Sequence, residues 1–146
     1  MAKKFRFRLE TVLKLRTEAV EEAKNLLNVA LRYRYEKEKE IEELKNQKQN
    51  QLEKQMNVNQ AQDFQMLKDH ITSLDKQIEK KEIEKQKLIE IENARRIRLN
   101  EAMKEEKIIL KLKEKKIQEH KAELLKEETN FLDEIASQQY VKKLRK

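Results

Sequence analysis

Glycine, proline, cysteine and tryptophan are all absent from the 146 residues. At ordinary usage about ten Gly and about seven Pro would be expected in a chain of this length. Their absence removes the usual turn chemistry. Hairpin-linked sheets, Rossmann and P-loop folds and many-turn domains are excluded with it. Without Cys there is no disulfide framework, no thiolate zinc site and no thiol nucleophile, which fits a reducing cytosol. The longest stretch without a charge is the eight residues Gln55–Gln62. A membrane span needs ~20 largely apolar residues, so none is expected. The N-terminal residues are basic, but no apolar run follows Phe5 and Arg6, so a secretory signal is not expected either.

What remains is charge and helix formers. Charged residues make up 43% and hydrophobic residues 37% of the chain, with 35 Lys and Arg against 28 Asp and Glu for a net charge of +7. Most of the charge is interleaved, the pattern of a solvated helix face with i,i+4 pairs. The ends differ. Lys3, Lys4, Arg6, Arg8, Lys14 and Arg16 are opposed only by Glu10, and Lys142, Lys143, Arg145 and Lys146 close the chain. Such clusters serve solubility or meet an acidic protein surface, nucleic acid or anionic lipid.

Leu9, Leu13, Val20, Ala23, Leu27, Ala30, Ile41 and Leu44 recur at spacings of three and four, interrupted by Arg16, Arg34 and Lys37. A second stripe runs through Phe64, Leu67, Ile71, Leu74, Ile78, Leu88, Leu99, Ala102 and Ile109, interrupted by Lys81, Lys85, Glu92 and Arg95. Both are heptad seams with a wet middle. Between them lie Asn57 and Asn59, residues that tolerate the left-handed region and can end a helix without glycine. Asn59 with Gln62 also reads as a capping box. These features favour an all-α chain, a long antiparallel two-helix coiled-coil hairpin whose C-terminal helix is the longer. It forms one domain over 1–146, with helix 1 at about 3–56, a turn at about 57–60 and helix 2 at about 60–143. The alternative is one unbroken helix of about 210 Å.

A tip near Val58 pairs residues whose numbers total about 116: Arg34 with Glu82, Lys37 with Glu79, Glu21 with Arg95, Lys24 with Glu92, and Leu9 beside Lys107. Such pairs fix register more than they stabilise. Everything beyond about Lys111 then lacks an intramolecular partner, yet it carries Leu124, Leu125, Phe131, Leu132, Ile135, Ala136, Tyr140 and Val141. A lone helix does not carry an apolar face into water, so this tail, with Phe5 and Phe7 beside it, is the candidate partner-binding surface. The other reading is that the tail folds back or self-associates.

Catalytic chemistry is thinly supplied, with two Ser, two His and four Asp. His70 and His120 fall too far apart in the hairpin to share a metal. The His70–Ser73 pair sits on a solvated helix with no oxyanion hole. No catalytic residue, metal site or cofactor is expected. Arg95, Arg96 and Arg98 form a basic cluster, but Glu10, Glu18, Glu21 and Glu22 dilute the N-terminal one. No aromatic–basic platform is evident, so nucleic acid is not expected as a partner.

The opening Phe5-Arg6-Phe7-Arg8-Leu9-Glu10-Thr11-Val12-Leu13-Lys14-Leu15-Arg16, followed by Glu21-Glu22-Ala23, resembles the start of the flagellar FliJ family, whose pattern is F-x-F-x-L-E-x-V-L-x-L-R. Leu132-Asp133-Glu134-Ile135-Ala136, with Tyr140 and the closing basic residues, is similar to that family's C-terminal end. The resemblance covers essentially the whole chain.

The resemblance implies a non-enzymatic stalk and adaptor of the flagellar type III protein export ATPase, serving flagellum biogenesis, motility and chemotaxis. The implied location is cytoplasmic, peripheral to the cytoplasmic face of the cell membrane and not inserted. Its implied partners are the export ATPase ring at the open end, the cytoplasmic domain of the transmembrane export-gate protein at the tip, and export chaperones. On this chain the ring-binding residues would be Phe5, Phe7, Phe131, Leu132, Ile135, Ala136 and Tyr140. The gate-binding stripe would be His70, Leu74, Gln77 and Lys81. His70 stands where the family often has an aromatic, and Gln77 and Lys81 depart from its small and His residues. Leu74 and Ile78 read equally well as seam residues. The runner-up function is a homodimeric structural coiled-coil scaffold.

Overall fold

The computed structural model describes residues 4–145. Lys3 and Lys146 of the terminal basic clusters, and the start of a first helix near residue 3, lie outside the described residues. The chain is all-α, with helix α1 at Glu10–Met56 (47 residues) and helix α2 at Ala61–Arg145 (85 residues). Long helices form because no residue in either breaks one, and the apolar residues recur on one face.

The turn uses different chemistry from that expected. Among the described residues none has positive φ, so Asn57 and Asn59 do not use the left-handed region. α1 instead tightens into i→i−3 bonds, with Asn57 N–H donating to Lys54 C=O at 3.1 Å and Val58 N–H to Gln55 C=O at 3.4 Å, which satisfies carbonyls a helix end would leave open. Phe64 N–H donates to Gln60 C=O at 3.1 Å. Gln60 is therefore the residue that opens α2, and the Asn59–Gln62 capping box falls one position out of register. Asp63 in the first turn complements the helix dipole.

The chain divides into two compact units, Val20–Glu101 and Met1–Ala19 with Ala102–Lys146. In the first, α1 and α2 run antiparallel. The seam buries Val20, Ala23, Ala30 and Ile41 from α1 and Leu74 from α2. Small residues at 23 and 30 allow close helix approach, and the wet middle is filled by a ladder of charges. Lys37 pairs with Glu84 at 2.9 Å, Lys81 with Glu40 at 3.0 Å, Lys85 with Glu38 at 3.7 Å, Lys48 with Asp75 at 2.6 Å and Lys45 with Glu82 at 3.5 Å. Arg95 donates to the backbone carbonyl of Leu26 at 2.6 Å. The hydrogen bond to Lys37 holds the Glu84 carboxyl below the ordinary carboxylate value. That from Lys81, then Lys37, does the same for Glu40.

These partners correct the expected register. Arg34 meets Glu92 and Glu38, not Glu82. Lys37 meets Glu84 and Glu40, not Glu79. Glu92 is held by Arg34 and Arg96 rather than Lys24, and Lys24 pairs with Glu21 on its own helix. Glu21 thus contacts Lys24 and not Arg95. Two physical effects move the α2 partners five to eleven residues along. Helical side chains lean toward their own N-terminus, so partners in an antiparallel pair both carry higher numbers than residues at the same level. The first turns of α2 also project past the end of α1, and residues 61–66 are all exposed.

In the second unit, Leu13 is buried. Arg16 pairs with Glu105 at 2.7 Å and Glu10 with Lys113 at 3.0 Å, so Glu10 stands near Lys113 where Leu9 was expected beside Lys107. From Lys4 to Phe7 the chain is irregular, and Arg8 and Leu9 form a turn in which Glu10 N–H donates to Phe7 C=O at 3.2 Å; Phe5, Phe7 and Leu9 are half-buried, while Lys4, Arg6 and Arg8 are exposed.

Candidate functional site

Apolar and basic residues alternate strictly from Lys4 to Leu9, and Phe5, Phe7 and Leu9 are the half-buried ones; in a helix Phe5 and Phe7 would point apart. The segment lies against α2. It closes a groove of about 900 Å³ lined by its own side chains together with Leu112, Lys116, His120 and Leu124. The Phe5 ring meets the His120 ring with centroids 5.5 Å apart and planes tilted by 52°. Outside a helix each residue can advance up to ~3.3 Å, against ~1.5 Å within one. Leaving the helix therefore lets a short segment cover a long strip of α2. This clasp corrects the expectation that everything beyond Lys111 is without an intramolecular partner. The signal that marks it is the period-two alternation in Phe5-Arg6-Phe7-Arg8-Leu9.

Beyond the clasp nothing described packs on α2. Leu125 (65% exposed), Phe131 (62%), Leu132 (57%), Tyr140 (64%) and Leu144 (68%) all face solvent, as do Ile135 and Val141. Ala136 is exposed on the same stretch. Phe131, Leu132, Ile135, Ala136 and Tyr140 thus share an uncovered helix end. Phe5 and Phe7 are not beside them. Phe5 sits at His120, about 16 Å along the helix from Phe131.

At the tip, the four residues of the expected stripe separate. His70 and Gln77 are exposed. Lys81 is tied to Glu40. Leu74 is 2% exposed and belongs to the seam, where α1 covers it, so it offers no surface to a partner. The apolar groups that do reach solvent near the tip are Met56 (88%), Phe64 (43%) and Met66 (65%), on the end of α1 and the projecting start of α2. The family resemblance implied a contact at Leu74, while the stripe spacing read it equally well as seam; a seam residue and a surface contact share the same helical period, and only packing separates them.

These surfaces offer aromatic and aliphatic groups edged by Lys and Arg. Among the described residues no group of three His, Cys, Asp or Glu is placed to hold a metal ion, and no helix is long and apolar enough to cross a membrane.

A family model described as flagellar FliJ protein matches residues 5–145. No curated protein matches the chain, and no solved structure does.

Proposed function

The chain belongs to the flagellar FliJ family of export-apparatus components, and on that premise we propose that it is the non-enzymatic stalk and adaptor of the flagellar type III export ATPase. It links the ATPase ring to the cytoplasmic domain of the export-gate protein, assists export chaperones, and works at the cytoplasmic face of the cell membrane without inserting. The observation that carries this reading is the uncovered apolar end of α2, with Phe131, Leu132 and Tyr140 all more than half exposed and Lys142, Lys143 and Arg145 close behind. An apolar helix end with a basic collar suits insertion into a ring whose lining is apolar with acidic loops. The apolar side chains supply affinity, ~1.5–3 kcal/mol for a fully buried Phe or Leu, and the basic ones steer approach. The gate is assigned to the tip, through His70, Gln77 and the exposed Phe64 and Met66.

The test is stimulation of ATP hydrolysis by the partner ring. Leu132→Asp with Ile135→Asp abolishes stimulation while circular dichroism stays unchanged. A folded double variant that stimulates fully shows that this end does not bind the ring.

A further inference from the structure

The clasp and the bare end of α2 lie on one line. His120, Leu124, Phe131 and Ile135 follow spacings of four, seven and four, and at ~100° per residue they fall within about 60° of one another. Glu127 and Glu128 stand at the two edges of that strip. Its two halves differ in cover. His120 and Leu124 line the groove under the clasp, with the Phe5 ring against His120, and both are half-buried. Phe131 is 62% exposed and Ile135 36%. The groove lining ends at Glu127, about 6 Å of helix short of Phe131.

The cover is lightly held. α2 uses its backbone N–H and C=O groups in its own i→i−4 bonds, so a segment lying across it gains side-chain contacts and no backbone ladder. Phe5, Phe7 and Leu9 stay only half-buried there, and Arg6 and Arg8 are exposed. Such a segment opens at the low end of local stability. Phe131 and Ile135 alone fall well short of the ~20–30 residues that a standard interface engages on each side, so a contact seated on them extends along the helix. Toward the C-terminus the line continues through Gln138 and Lys142; toward the N-terminus its next apolar group is Leu124.

We propose that the clasp is an autoinhibitory cover: Lys4–Leu9 occupies the near half of the strip that the ATPase ring takes up on α2, and the ring displaces it so that Leu124 joins Phe131 and Ile135 in the contact. The inference rests on the stalk reading, and it gives Phe5 and Phe7 the opposite role to ring contacts, since they hold the strip closed. Apparent affinity is the intrinsic affinity scaled by the open fraction, so a clasp closed about nine-tenths of the time weakens binding about tenfold.

Titrating stimulation of ATP hydrolysis with the full chain tests it. Phe5→Ala with Phe7→Ala lowers the half-maximal concentration about tenfold at an unchanged maximal rate. Phe5→Cys with His120→Cys, joined through a cleavable thiol-reactive linker, raises it, and cleaving the linker reverses the effect; no native cysteine competes for the linker. Circular dichroism is the same before and after cleavage. A half-maximal concentration that is unchanged or higher without the two Phe rings overturns the proposal, as does a linked chain that stimulates as well as the cleaved one. In both cases the wild-type chain still stimulates and the stalk reading stands. A wild-type chain that stimulates at no concentration removes that reading and the proposal with it.

Discussion

Arg34 on α1 and Glu92 on α2 hold each other inside the seam. Arg34 Nε faces Glu92 Oε2, while Arg96, one turn along α2, donates to Glu92 Oε1 at 2.8 Å. Glu92 is only 5% exposed, the one buried charged side chain among the described residues. The hydrogen bond from Arg96, reinforced by Arg34, outweighs burial and keeps the carboxyl below its ordinary pKa. On the other side, hydrogen bonds to Glu92 and then Glu38 raise that of Arg34. A buried ion pair is a weak source of stability but a strong one of register, because sliding the helices strands both charges.

That pair yields the first prediction. Arg34→Leu alone lowers the melting temperature by several degrees, because Glu92 loses its cross-helix partner. Arg34→Leu with Glu92→Leu recovers most of the loss, because no charge is stranded. Thermal melts followed by circular dichroism check this, and a double variant that melts no higher than the single one contradicts it.

Acid dependence comes next. The folded pKa values of Glu40, Glu84 and Glu92 lie below the ordinary 4.5. Their contribution is fully present above that ordinary value and is lost as pH falls through the lower, folded values. Lys37 is raised above 10.5, by its hydrogen bond to Glu84 first, so its contribution is complete below that value and is lost only as pH rises through its folded pKa. The melting temperature is therefore flat around neutrality and declines below about pH 4.5. Glu92→Gln makes that acid decline shallower, and an unaltered decline would remove Glu92 from the account.

Leu74 and His70 separate seam from surface. Leu74→Ala removes a buried side chain and costs about 2–3 kcal/mol, the low end because two helices can close partly over the gap. His70→Ala and Gln77→Ala each change stability by less than about 0.5 kcal/mol. Urea unfolding measures all three, and a neutral Leu74→Ala would place that residue outside the seam.

Register is checked by cross-linking, which the absence of native cysteine makes clean. Lys37→Cys with Glu84→Cys joins readily through a short thiol-reactive linker, whereas Lys37→Cys with Glu79→Cys joins slowly. The reverse preference would restore the register read from the stripes alone.

For the clasp, Phe5→Ala with Phe7→Ala uncovers Leu112 and Leu124. Amide exchange quickens across residues 112–127 and stays unchanged across 20–101, because the seam of that unit does not use the clasp. Uniform quickening, or none, would show that the clasp does not protect this strip of α2.

Two long helices and a turn between Met56 and Ala61 were determined by the sequence itself. Helix formation is local: no Gly or Pro interrupts, apolar residues repeat at three and four, and the longest uncharged gap marks the break. The alternation of Phe5, Phe7 and Leu9 was equally local, though its meaning required α2 as the surface it covers. Only the tertiary structure decided the rest. Register depends on how far α2 projects past α1 and on the lean of side chains in both, so Lys37 finds Glu84 instead of Glu79. Leu74 is buried because α1 lies over it, whereas Phe131 and Leu132, with the same helical spacing, are bare because α1 does not run alongside them. A stripe states which face is apolar; what lies opposite that face is a property of the packed molecule, and it decides whether the face is core or a binding surface.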